Sequence, residues 1–281
     1  MFWQTSRFAI DLMRPCVMGI VNVTPDSFFD GGQHASTKAA LKQCEKLLTD
    51  GAHVLDIGGE SSRPGALPLP LDEELSRILP VLRDAVNLGV PISIDTYKPQ
   101  VMQAALDLGA DIINDIWALR QPGAVQMVAT HPNCGVCLMH MHQEPQTMQI
   151  MTMQGDVVAQ VLAFLTRHAQ ELERMGVDQQ RIVIDPGIGF GKTVAQNFSL
   201  LTRQSELLAA GYPVLAGWSR KSSLAGATSP SLASLATLDV QARMVPSVAA
   251  ALLAVERGAR IVRVHDVRET VQALAVLSAI H

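Results

Sequence analysis

Short apolar runs rich in β-branched residues alternate with longer amphipathic segments from one end of the chain to the other. The runs fall at residues 17–21, 53–57, 91–94, 111–114, 135–139, 181–184, 213–216 and 260–264. They are apolar at successive positions rather than at every second one, which predicts parallel strands covered on both faces. Helical patterns fill the gaps at 37–48, 73–86, 99–108, 195–209, 247–256 and 267–279. A further helix is predicted after Asp156, which offers an N-cap. Val158, Val161, Leu162, Leu165, Ala169 and Leu172 mark its buried stripe, and Gly176 its end. Pro99 suits a first helical position, where its missing N–H costs nothing.

Strand–helix units at a spacing of about 35 residues predict an α/β fold of the TIM (β/α)8 barrel type. The whole chain, 1–281, is expected to form this one domain. A doubly wound sheet would share the periodicity.

In a closed barrel, reactive groups belong where strands run out into βα loops. Polar residues do end the apolar runs: Asn22, Asp56, Asp95, Asn114, His140, Asp185, Ser219 with Lys221, and Arg263 with His265. Arg263 and His265 are two apart on a strand and share a face. With Ser219, Arg220 and Lys221, expected to open a helix, they make an edge suited to phosphate. Ion pairs closing the barrel would place the same residues there. Asp95, Asn114 and Asp185 offer acceptors for the donor-rich edge of a flat heterocycle, or else serve an internal Asp–Lys pair. The turn-rich segments 22–32, with Phe28 and Phe29, and 58–70, rich in proline, read as lids or as plain surface turns. The Met- and Gln-rich stretch 140–155 reads as a polar loop, and the methionines in general as core filler.

Composition adds exclusions. With 48% hydrophobic and 17% charged residues the chain can bury a large core, and a net charge of −4 gives no general attraction to nucleic acid or anionic membrane. No apolar run is long enough to span a bilayer, and no secretory leader is discernible. The expectation is a cytoplasmic protein whose four cysteines are free thiols. Two motifs mislead. Cys134, Cys137, His140 and His142 imitate metal or redox spacing, but strand alternation puts Cys137 and Met139 on one face and Leu138 and His140 on the other. The stretch DPGIGFGKT, 185–193, imitates a phosphate loop, but Pro186 stands at its first glycine position and the spacing from Gly187 to Gly191 is too short. Gly187 and Gly189 there allow a sharp turn, and Lys192 reads as peripheral.

The successive motifs MGIVNVTPDSFFDGG, LDIGGESSRPGA, SIDTYKP, IINDI, CLMHM, DPGIGFGK, SRKS and RVHDV cover nearly the whole chain. They resemble those of the dihydropteroate synthases, the folate-pathway family inhibited by sulfonamides. The resemblance implies a TIM barrel, a homodimer, and the condensation of 6-hydroxymethyl-7,8-dihydropterin diphosphate with p-aminobenzoate to give dihydropteroate and pyrophosphate. Carried over by motif, Asp95, Asn114, Asp185 and Lys221 would hold the pterin, with Met139 and Phe190 lining its pocket. Asn22, Arg63, Arg263 and His265 would meet the diphosphate, and Asn22 with Asp30 would place Mg²⁺. Ser62, Pro64, Phe190, Lys221 and Ser222 would form the p-aminobenzoate side, while Phe28 and Asp30 lie on a lid loop. Asp95, Lys221, Arg263 and His265 would carry the chemistry: diphosphate departs, leaving a cation on the exocyclic methylene that the aryl amine attacks. The chain departs from the family pattern at Phe29, Ser62 and Trp218. Alternatives are a pterin-binding methyltransferase barrel, which has no need of the SRKS and RVHD anion site, and a non-catalytic pterin-binding barrel.

Overall fold

The computed structural model describes residues 1–23, 32–63, 65–144, 147–148, 150–227 and 240–280, so Phe28, Phe29, Asp30 and Pro64 lie outside the described residues. Eight strands form one sheet, every pair parallel: β3 (Cys16–Asn22), β4 (Val54–Gly58), β5 (Ile92–Asp95), β6 (Ile112–Asp115), β7 (Gly135–Met139), β8 (Ile182–Asp185), β9 (Leu215–Ala216) and β10 (Ile261–Val264). Their order is β8-β7-β6-β5-β4-β3-β10-β9, and a bridge between Ile184 and Val214 brings β9 back to β8. β9 holds two residues where a longer run was predicted. Pro213 has no N–H to give to a ladder and serves only as acceptor, from the Ile184 amide at 3.0 Å.

Two cores follow from strand alternation. Inside the ring, Cys16, Met18, Val54, Ile112, Cys137, Val183, Leu215 and Ile261 pack together. Outward-facing Leu55, Ile57, Ile94, Ile113, Leu138 and Ile184 pack instead with helix residues such as Ile78, Leu82, Leu165 and Leu172. An antiparallel hairpin absent from the expectation, β1 (Phe2–Gln4) with β2 (Ala9–Asp11), closes the inner core. Its Trp3 is fully buried there with Leu12, and the Trp3 indole N–H donates to the Arg181 carbonyl at 3.0 Å. Among the described residues the hairpin thus covers the floor and leaves the carboxyl ends of the strands for a site.

The helices are α1 (Gly32–Thr49), α2 (Leu71–Ala85), α3 (Pro99–Asp107), α4 (Ala124–Thr130), α5 (Val157–Arg174), α6 (Val194–Thr202), α7 (Ser222–Ala227), α8 (Met244–Glu256) and α9 (Val267–Ser278). Asp156 caps α5 as expected, accepting from the amides of Val158 and Ala159. Pro99 occupies the first turn of α3. The helix predicted over 195–209 breaks at Arg203, after which Gln204 turns inward to donate to the Ala254 carbonyl at 2.7 Å. That buried amide bond outweighs the helical pattern, and the chain continues as a 3₁₀ turn. The seven-residue α4 had not been predicted.

Candidate active site

Strand register sets one rung of the barrel mouth: Asn22 lies opposite Gly58, Gly58 opposite Asp95, and Asp95 opposite Asn114. One alternation deeper, Asp56 sits beside Ser93 and is fully buried. A carboxylate there needs partners, and it has three. Asp56 accepts from the Ser93 hydroxyl at 2.6 Å, the Asn114 amide at 3.2 Å and Arg263 Nε at 2.6 Å. The Arg263 guanidinium also donates to Asp95 at 2.7 Å. Asp56 thus fixes both Asn114 and Arg263. With its NH₂ group engaged, the oxygen of Asn114 is the end left to meet a ligand's donor. The sequence marks Asp56 only as a polar residue of a strand. A charge inside the run VLDIG was the signal that it belongs to the site.

Burial pushes two carboxyls of the mouth, Asp95 and Asp185, toward the neutral form. Burial, reinforced by Asp56, Glu74 and Asp115, raises Asp95 to about 7 in spite of Arg263. Asp185, at the end of β8, is also raised by burial, while the Gly187 amide (2.7 Å), Lys221 and Lys192 act the other way. Burial brings Lys221 down to about 8, opposed by Asp185 and Asp95. Asp185 and Lys221 act on each other electrostatically, but no ion pair joins them among the described residues. Cys134 and Cys137 belong to separate cores on opposite faces of the sheet, and burial raises both thiols.

The wall beside Asp185 is apolar. Met139 and Phe190 cluster with Ile116, Met141 and Met148, so the stretch 140–155 supplies buried methionines to the site and is not merely a polar loop. Lys221 Nζ lies 4.2 Å from the centre of the Phe190 ring, a cation–π contact. Gly187 has φ 67°, and a Cβ on it would come within 1.9 Å of the His140 carbonyl oxygen. Only glycine permits that approach. Lys192, read as peripheral, is fully enclosed: its ammonium donates to the carbonyls of Gly187 (2.8 Å), Phe190 (3.1 Å) and His140 (3.4 Å).

The basic edge is only partly as expected. Ser219 Oγ lies 2.9 Å from His265 Nδ1, and burial followed by Arg263 and Arg220 lowers the imidazole to about 3. It is therefore a neutral donor, not a cation. Arg220 does not join a helix start: it has φ 58°, α7 opens later at Ser222, and its guanidinium pairs with Asp266 at 2.6 Å. Trp218 is buried against Phe198. Arg63 is exposed and makes no ion pair among the described residues, and Ser222 is exposed as well. Ser62 is placed more tellingly. A cavity of about 50 Å³ is lined by Glu60, Ser61, Ser62, Asp95, Tyr97 and Trp117 among others. The 58–70 segment thus faces the acidic rung of the barrel.

Residues 18–265 match the family model described as pterin binding enzyme. The chain is 48% identical over 281 residues to the dihydropteroate synthase of Neisseria meningitidis serogroup C, covering 99% of this chain and 97% of that one. Among solved structures it is similar to Xanthomonas albilineans dihydropteroate synthase with 4-aminobenzoic acid, at a TM-score of 0.91 and 46% identity, covering 100% and 98% of the two chains. It is similar also to the Burkholderia cenocepacia dihydropteroate synthase complexed with 7,8-dihydropteroate, at 0.87 and 48%, covering 99% and 96%.

Proposed function

The chain belongs to the dihydropteroate synthases of the pterin-binding enzyme family, and from that premise we propose how its own residues divide the reaction. The reaction joins 6-hydroxymethyl-7,8-dihydropterin diphosphate to p-aminobenzoate, giving 7,8-dihydropteroate and pyrophosphate. Asp185, Asp95 and the Asn114 oxygen accept from the N–H edge of the pterin, and Lys221 faces the same ring. Phe190 and Met139 wall it and keep water from its faces. Ionised Asp95 offsets the positive charge that grows on the exocyclic methylene as the diphosphate leaves. His265 gives the departing group a neutral N–H, with Asn22, Arg63 and Arg263 as further donors. The p-aminobenzoate ring enters beside Ser62, Lys221 and Ser222, with Pro64 on the same segment. The observation that carries this reading is the buried net joining Asp56, Asp95, Asn114 and Arg263.

Mg²⁺ fits the donor chemistry. Asn22, half-buried at the end of β3, offers one hard amide oxygen, and a magnesium ion takes few protein ligands beside substrate phosphates and water. Asp30, the second proposed ligand, lies outside the described residues. When bound, the metal neutralises diphosphate charge.

A homodimer is part of the same proposal. Val245 on α8 and Val276 on α9 expose 69% and 68% of their surface, and α8 packs beside α9. Sedimentation of the protein and of Val276→Glu tests it, since only the former should run as a dimer.

Release of pyrophosphate from the pterin diphosphate tests the whole reading. It should require both p-aminobenzoate and Mg²⁺. Release that ignores p-aminobenzoate would overturn it.

A further inference from the structure

We infer that Glu60 and Lys98 are positioning residues for the p-aminobenzoate half of the reaction. Their ion pair fixes the root of the 59–70 segment so that Ser62 faces Asp95. This rests on the function proposed above and adds residues to which that reading gave no role.

The root is held from three elements. Lys98, the residue capping α3, places its ammonium between Glu60 and Glu74 of α2. Glu60 accepts in addition from the Tyr97 hydroxyl at 2.8 Å, and Glu74 from the Thr96 hydroxyl at 2.7 Å. Glu74 is fully buried, and the Lys98 and Glu60 side chains are only 15% and 12% exposed. One residue earlier, Arg77 of α2 donates to the Gly59 carbonyl at 2.8 Å. A Cβ on Gly59 would lie 2.9 Å from Ile78 Cγ1, so the backbone is pressed onto α2 as well.

Beyond Glu60 the character changes. Ser61, Arg63 and Gly65 are exposed, and the next hydrogen bonds are local ones: the Arg63 amide to Ser61 Oγ and the Ala66 amide to the Arg63 carbonyl. Nothing in these bonds aims the segment at the barrel. The cavity that Ser61 and Ser62 share with Asp95 therefore keeps its shape through Glu60 and Tyr97, which both line it and are bonded to each other.

The charges argue the same way. A buried cluster of two carboxylates and one ammonium is a poor source of stability, since apolar side chains of similar volume would serve as well or better. What an ionic cluster does supply is direction. Thr96, Tyr97 and Lys98 follow Asp95 directly, so one short stretch connects the pterin-side carboxylate to the root of the p-aminobenzoate segment.

The test compares Lys98→Met, Glu60→Gln and the milder Tyr97→Phe, which removes one hydroxyl and leaves the ion pair. Expected is a rise in KM for p-aminobenzoate of about tenfold in the first two and about threefold in the third, with KM for the pterin diphosphate little changed. Lys98→Arg, which keeps a cation between the carboxylates, should recover part of the loss. Equal rises in both KM values would show a general loosening of the barrel and overturn the inference, as would an unaltered p-aminobenzoate KM in all three. Wild-type protein that releases no pyrophosphate with both substrates would instead sink the function itself.

Discussion

Ser219 holds His265 at two points: its Oγ accepts the His265 backbone N–H at 3.1 Å and lies 2.9 Å from Nδ1 of the ring. Oγ keeps its proton and a second lone pair, so the contact fits either tautomer, and we expect the one in which the serine proton meets Nδ1 and the imidazole hydrogen sits on Nε2. That hydrogen is the donor the site can offer to an anion. Nitrogen NMR of the free protein should show the Nε2–H tautomer and no titration of this ring between pH 8 and 5, because burial has pushed it down to about 3. Ser219→Ala should mix the tautomers and weaken pyrophosphate binding by about tenfold, the worth of one charge-assisted hydrogen bond. A His265 ring that titrates near its ordinary value would refute the argument.

The proposed pterin side has a narrow window of useful charge. Asp95 ionises only above about 7, and Lys221 holds its proton only below about 8. The signs are opposite: falling pH removes the acceptor, and rising pH removes the cation. The kcat/KM for the pterin diphosphate should therefore be bell-shaped with apparent limbs near those values, belonging to the coupled set and not to single residues. Lys221→Arg should move the alkaline limb upward while leaving the acid limb in place. A profile flat from pH 6 to 9 would contradict this.

Much of this was legible in the chain because burial on both faces leaves a plain mark on a parallel strand. The carboxylates Asp95 and Asp185 stood out by ending such runs, whereas Asp56 reads as one more run-ending residue and is given no role. The β1–β2 hairpin was not legible, since three-residue strands are too short to show a period. Arg220 was misjudged because its pairing with Asp266 depends on how β10 lies beside β9. Lys192 had no sequence mark at all, as its partners are backbone carbonyls, which every residue carries.

Asp56→Asn should damage pterin binding more than it damages the fold. The substitution takes the charge from Arg263 Nε and leaves one oxygen where two had accepted from Ser93, Asn114 and Arg263. Breaking one side of a buried ion pair costs about 3–5 kcal/mol, but Asp95 remains to hold Arg263. Calorimetry with the pterin alcohol should show affinity falling by roughly 10- to 60-fold if half of that cost appears in binding. Unaltered affinity would mean that Asn114 is oriented by something other than Asp56.

Lys192→Met separates shape from stability. The wild-type ammonium costs free energy to bury, and its pKa falls from the ordinary 10.5 to about 7 in the folded protein. By linkage, a depressed lysine contributes stability that is present above pH 10.5 and is lost as pH falls toward 7. Methionine has no such charge, though it leaves the carbonyls of Phe190 and His140 without their donor, at about 1–3 kcal/mol each if they stay dry, while the Gly187 carbonyl keeps the Phe190 amide at 3.1 Å. The two effects oppose each other near neutrality, so Tm should change little at pH 7, with the wild type gaining on the variant by pH 9. The loop itself has no such compensation. Without the ammonium nothing draws those carbonyls together, Phe190 shifts from Lys221, and KM for the pterin diphosphate should rise by about tenfold while KM for p-aminobenzoate rises less. A variant with wild-type KM and a Tm gap that narrows toward pH 9 would reverse both halves of the argument.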